Sequence, residues 1–124
     1  MPQEHSKTKE ARKKMIQIFE MLAYDIEEEK IYQCTNNMGE RIEPPYQADL
    51  YLKQEFNLEL DPDEIHNNSR HNIMHDEWKD QNIYNQHQQV KTVRLNPRLV
   101  NKQNLFEIMA EIQNQLREKK YNNK

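Results

Sequence analysis

Three of the chain's five histidines fall within ten positions of one another, in "DPDEIHNNSRHNIMHDEWKD" (residues 61–80). His71 and His75 are four apart, which on a helix sets both imidazoles on one face, the spacing found in zinc proteases. Such a site needs a glutamate beside the first histidine as general base, and Asn72 stands there instead. His66 lies on another part of the helix surface, no CxxC accompanies the group, and Asp76, Glu77 or a partner chain would have to complete it. The expectation is therefore solvent-facing histidines, with no metal and no cofactor. Cys34, the single cysteine, has no histidine or base near it in sequence to lower its pKa, and reads as a small, half-buried apolar residue. The many carboxylates read as helix caps and solvated faces. Nothing assembles a nucleophile, a base and an oxyanion hole, so no enzyme and no small-molecule substrate are expected.

The same stretch supports a second chemistry, nucleic-acid recognition. On the early solvent face of a helix, Asn67, Asn68, Arg70 and His71 would reach base edges and phosphates, since amides match adenine and guanidinium matches guanine. Lys13 and Lys14, in a basic N-terminal arm with Lys7, Lys9 and Arg12, would supply phosphate contacts, and His87 and Lys91 further ones. Glu59, Asp61, Asp63 and Glu64 crowd the helix end that would enter the groove, where phosphates repel them, although helix capping accounts for two of the four. A third chemistry is protein binding. Trp78, Phe106 and Met109 exceed what a small core needs and suit an anchor for a partner or a second copy.

The elements that would position these groups belong to one domain of 124 residues, of which only 35% are apolar. Mean hydropathy is -1.24, so a thin core is expected, helped by a partner. One glycine leaves little room for phosphate-cradling loops or an all-β barrel. A lone cysteine, a polar N-terminus without an apolar stretch behind it and no long apolar run read as an intracellular protein, cytoplasmic or nuclear, without a membrane span. Net charge is -3, unevenly spread. Residues 1–14 hold five bases and two acids, residues 15–65 three and thirteen, residues 66–124 ten and six. Basic ends flank an acidic middle, which points to interaction surfaces of opposite sign.

Ala11, Met15, Ile18, Phe19, Leu22 and Ile26 recur at helical spacing and predict a first amphipathic helix. "KIYQC" reads as a short strand and "TNNMGERIEPP" as a loop. "YQADLYLKQEF" reads as a second helix on Tyr46, Leu50, Leu52 and Phe56. "DPDE" starts a third, with Asp61 as cap, Pro62 at the first helical position and Glu64 reaching back. In that helix Ile65 and Ile73 face one side and Met74 and Trp78 nearly the other. "NIYNQHQQVKTVRL" reads as a hairpin, and Leu105, Ile108, Met109, Ile112 and Leu116 mark a final helix after Asn96–Pro97.

The resulting order, with "LYLKQEFNLELDPDEI" as two helices joined by a turn at Asn57, resembles the winged helix-turn-helix superfamily, with its homeodomain-like and transposase-type relatives. The likeness spans roughly residues 10–95 by element order and about twenty residues by motif. It implies a mainly α fold with a small β-hairpin, residues 1–96 forming the winged helix-turn-helix domain with its basic N-terminal arm and residues 97–124 a C-terminal oligomerisation or docking helix of the same domain. The function it implies is a DNA-binding regulator or accessory subunit, working as a homodimer. The alternative is a non-enzymatic adaptor or inhibitor that meets a protein partner through the acidic middle and the exposed apolar residues.

Overall fold

The structure is a computed structural model that describes residues 6–61 and 70–121. Helix α1 (Ser6–Met21) leads into strands β1 (Ile26–Tyr32), β2 (Tyr46–Leu52) and β3 (Phe56–Leu60). Helix α2 (Arg70–Gln86), strand β4 (Lys91–Leu95) and helices α3 (Pro97–Lys102) and α4 (Leu105–Glu118) follow. The four strands form one sheet in the order β1-β2-β3-β4. The first three are an antiparallel meander, and β4 lies parallel to β3 after the α2 crossover.

This overturns the winged helix-turn-helix expectation. A mixed four-stranded sheet carries the fold, not a small hairpin on a helical core. The two helices assigned to "LYLKQEFNLELDPDEI" are instead the β2–β3 hairpin, and Gln54, at φ 66°, takes the left-handed turn position assigned to Asn57. Asn57 is fully buried in β3, where its Oδ1 accepts a 2.8 Å bond from the Tyr32 hydroxyl. The physical reason is the period. Tyr46, Ala48, Leu50 and Leu52 are buried and alternate with the less buried Gln47, Asp49 and Tyr51, the two-residue burial repeat of a strand, although Tyr46 and Ala48 join one apolar cluster and Leu50 and Leu52 the other. The expected hairpin over residues 82–95 is the end of α2 followed by the single strand β4.

The sheet separates two layers. On one face, Leu50, Leu52, Phe56, Leu58, Leu60, Val93 and Leu95 meet Ala11, Met15, Ile18 and Phe19 of α1, Val100 of α3, and Ile108 and Ile112 of α4. The helical stripe read from sequence in α1 thus holds as far as Phe19. Leu22 is exposed beyond it and Ile26 opens β1. Asn96 caps α3 with Pro97 in its first turn, and Asn104 and Glu107 form a reciprocal capping box on α4. The opposite face carries Asn57, Glu59, Thr92 and Arg94 under α2, with a smaller apolar cluster of Tyr32, Cys34, Tyr46, Ala48 and Ile83 beside them. The helix start at "DPDE" lies outside the described residues beyond Asp61.

Candidate functional site

Strands β2 and β3 pair only through Leu50↔Leu58, Tyr51↔Asn57 and Leu52↔Phe56. The next rung would set Asp49 against Glu59, and there the ladder opens into a fork. In its place the two carboxylates bridge the gap reciprocally. The Asp49 backbone N–H donates to Glu59 Oε2 at 2.7 Å, and the Leu60 N–H donates to Asp49 Oδ2 at 2.8 Å. The other side of Asp49 is distorted as well. Glu29 lies opposite it in the β1–β2 register, is missing from the pairing, and has φ 54°. A non-glycine residue held in that region marks a local departure from regular strand geometry.

Two cations face the acids. Lys79, from α2, places Nζ 3.5 Å from Glu59 Oε1 and 3.4 Å from the Gln47 carbonyl oxygen. Arg12, from α1, places Nη2 3.8 Å from Asp49 Oδ1. The Glu59 side chain keeps only 10% of its surface in solvent and Asp49 keeps 29%, so the fork opens on the Asp49 side. Burial, and then the neighbouring Asp49 charge, push the Glu59 pKa up to about 7 against the pull of Lys79. Burial likewise raises Asp49, opposed by its bond from Leu60 and by Arg12. A buried carboxylate and a half-buried one that repel each other weaken a fold, and such pairs concentrate where chemistry or binding needs them.

Asp61, two residues past Glu59, adds to the charge felt by Asp49 and ties the fork to a second cluster. Arg94 of β4 bonds both oxygens of Asp80, at 2.7 and 3.1 Å, and Asp61 Oδ2 at 2.5 Å, with Asp76 at 3.7 Å. Burial works against the Arg94 charge, but bonds and charge from Asp80 and then Asp61 outweigh it and raise its pKa. This cluster lines an open cleft of about 820 Å³ with Lys119, Tyr121 and Leu99. Burial lowers the pKa of Lys119, whose ammonium donates to the Thr92 carbonyl at 2.6 Å.

Few of the residues expected from sequence meet here. Asn67 and Asn68 lie outside the described residues, as does His66. Arg70 and His71 fall in the first turn of α2, with their side chains outside the description. Lys14 donates to the carbonyls of Val100 and Gln103, both at 2.6 Å, and so fastens α3 to α1, while Lys13 is exposed. His87 contacts the Gln33 carbonyl and the Tyr32 ring, and Lys91 bonds the Leu116 carbonyl near the end of α4. Trp78 is 46% exposed and Phe106 82%, whereas Met109 packs against the core. The residues that sequence reasoning missed are Asp49, Glu59 and Lys79. Asp49 and Glu59 each stand as one acid among the apolar residues of a strand, which marks the residues but not their meeting, and Lys79 carries no such signal.

Among the described residues, no group of three or more His, Cys, Asp or Glu side chains is set to hold a metal ion. A two-carboxylate site would draw its remaining ligands from water and from a substrate phosphate, as magnesium sites commonly do. Comparison with protein-family models, with curated proteins and with solved structures finds no match for the chain.

Proposed function

We propose that the chain is a divalent-cation-dependent phosphodiesterase acting on nucleic acid. The observation that carries this reading is the Asp49–Glu59 pair set into the opened end of β2 and β3, with Lys79 and Arg12 against it. Two mutually repelling carboxylates are relieved by a cation such as Mg²⁺ or Mn²⁺, and the adjacent ammonium and guanidinium offer an anion a place beside that cation. A cation and an anion site side by side suit a phosphate diester. Lys9 and Lys13, exposed on the helix that carries Arg12, favour an extended polyanion over a small phosphate ester. The reaction adds water across the ester: a bond forms from water oxygen to phosphorus and one P–O bond to sugar breaks. The products are a phosphomonoester and an alcohol, which takes a proton from the attacking water. The bound cation would lower the pKa of that water, and Lys79 and Arg12 would offset charge on the phosphoryl oxygens.

Thermal melting with and without cation tests the site directly. Mn²⁺ or Mg²⁺ is expected to raise Tm in the wild type, and Asp49→Asn and Glu59→Gln to abolish the rise without unfolding the protein. A wild-type Tm indifferent to both cations contradicts the reading.

A second reading, docking onto a protein partner, draws on the exposure of Leu99 and Phe106 around α3 and α4. Light scattering and pull-down with Phe106→Ser measure it. Unchanged association in that variant removes the support.

A further inference from the structure

Beside the fork, α2 and β2 bring three rings together. Tyr46 and Trp78 meet edge to face, with centroids 6.4 Å apart and planes at 89°. His75, one turn earlier, tilts against Trp78 at 6.1 Å and 40°. Lys79, next in sequence to Trp78, reaches Glu59 at 3.5 Å while its ammonium lies 5.8 Å from the centre of the Tyr46 ring. The Tyr46 ring therefore meets both the indole and the ammonium that contacts the carboxylate fork. Trp78 is 46% exposed and belongs to neither apolar cluster, and Met74, one turn away on the same side of α2, is 59% exposed. Among the described residues, the rings that meet the indole are Tyr46 and His75, and nearly half of its surface stays in water.

Bases of a single strand stack on such aromatic surfaces, at roughly tenfold or more in affinity per base. A base inside a duplex shows a side chain its edge and keeps its flat faces in the stack. We propose that Trp78 is the stacking platform for an unpaired nucleobase of the strand whose phosphate lies at the Asp49–Glu59 fork. This inference rests on the phosphodiesterase reading and adds its substrate class: single-stranded nucleic acid, or a strand with a frayed or flipped base.

Trp78 is the chain's only tryptophan, so its emission reports on the platform alone. The experiment titrates the full chain, in Ca²⁺, into an end-labelled short oligothymidylate, an abasic oligomer of the same length and a blunt duplex, reading affinity from the anisotropy of the label and the platform from Trp78 emission. The oligothymidylate is expected to quench Trp78 and to bind roughly tenfold more tightly than the abasic oligomer, which leaves emission unchanged. Trp78→Ala should erase that difference between the two oligomers while keeping the Mn²⁺-induced rise in Tm. Equal binding of abasic and normal oligomers, or equal quenching by the duplex, overturns the platform even if the Tm rise is present. Quenching by bases in a protein whose Tm ignores Mn²⁺ would instead keep the platform and remove the phosphodiesterase reading.

Discussion

Glu59 is the residue whose ionisation the fold resists most usefully. Its carboxyl titrates at about 7 in the folded chain against the usual 4.5. Between those values the folded protein holds a proton that the unfolded chain has released. Stability from this group is therefore complete below 4.5 and falls as pH rises toward 7, by up to about 3 kcal/mol. Asp49, also raised, acts in the same direction. Melting in chelator should accordingly give a lower Tm near pH 8 than near pH 5. Glu59→Gln should flatten that slope and melt higher than wild type at pH 8. A Tm that rises with pH in chelator, in wild type and variant alike, would show that the pair is not under the strain its geometry implies. Divalent cations require the ionised pair, so their stabilising effect should strengthen as pH rises through 7. Arg94 is the converse case, a buried cation already satisfied by Asp80 and Asp61. Arg94→Ala strips the buried Asp80 carboxylate of its bidentate partner and should cost about 3–5 kcal/mol in urea unfolding.

At the scale of elements, what was legible followed hydrophobic period and cap chemistry. The stripe of α1, the Asn96–Pro97 restart and the apolar face of α4 were all readable, the first and last from helical spacing and the second from cap chemistry. The β2–β3 hairpin was not, although Tyr46 to Leu52 alternates cleanly. Tyr46, Leu50 and Leu52 also fit a helical face loosely, and "LKQEF" suits a helix by propensity, so local preference competed with a pairing made only in the sheet. The fork was beyond sequence altogether, because it depends on where two strands stop pairing. Asp49 and Glu59 are ten positions apart and become neighbours only across that ladder. Strand β4 shows how the sheet ends safely. The Gln115 side chain accepts from the Arg94 N–H and donates to the Arg94 carbonyl, at 2.9 and 2.8 Å, standing in for a fifth strand. Gln115→Ala should cost about 1–2 kcal/mol and speed amide hydrogen exchange at Arg94. Protection unchanged at that amide would mean that the edge is covered in another way.

Over the whole molecule, the C-terminal segment is part of the core. Ile108 and Ile112 are fully buried against the sheet, and Lys119 bonds the backbone of β4. Helices α3 and α4 therefore complete the layer that α1 begins, whatever docking Phe106 supports outside it. Ile112→Ala should lose about 2–5 kcal/mol in chemical denaturation, as expected of a core position and not of an accessory helix. The acidic middle read from the sequence acquires a structural division too. Glu27, Glu28 and Glu29 line the edge strand β1, where charge discourages pairing with other chains, whereas Asp49, Glu59 and Asp61 turn inward to the fork and to Arg94. Composition records both groups as negative charge, and only the strand directions tell them apart. The central claim is that the inward group is a cation-dependent hydrolytic site. Its most direct measurement is cleavage of single-stranded and duplex DNA and RNA by the purified chain in Mn²⁺ or Mg²⁺, beside Asp49→Asn, Glu59→Gln and a chelator control. The account predicts phosphomonoester ends from the wild type with cation, and no products in chelator or from either variant. Cleavage that persists in Glu59→Gln, or no cleavage of any of the four substrates with either cation, would contradict it.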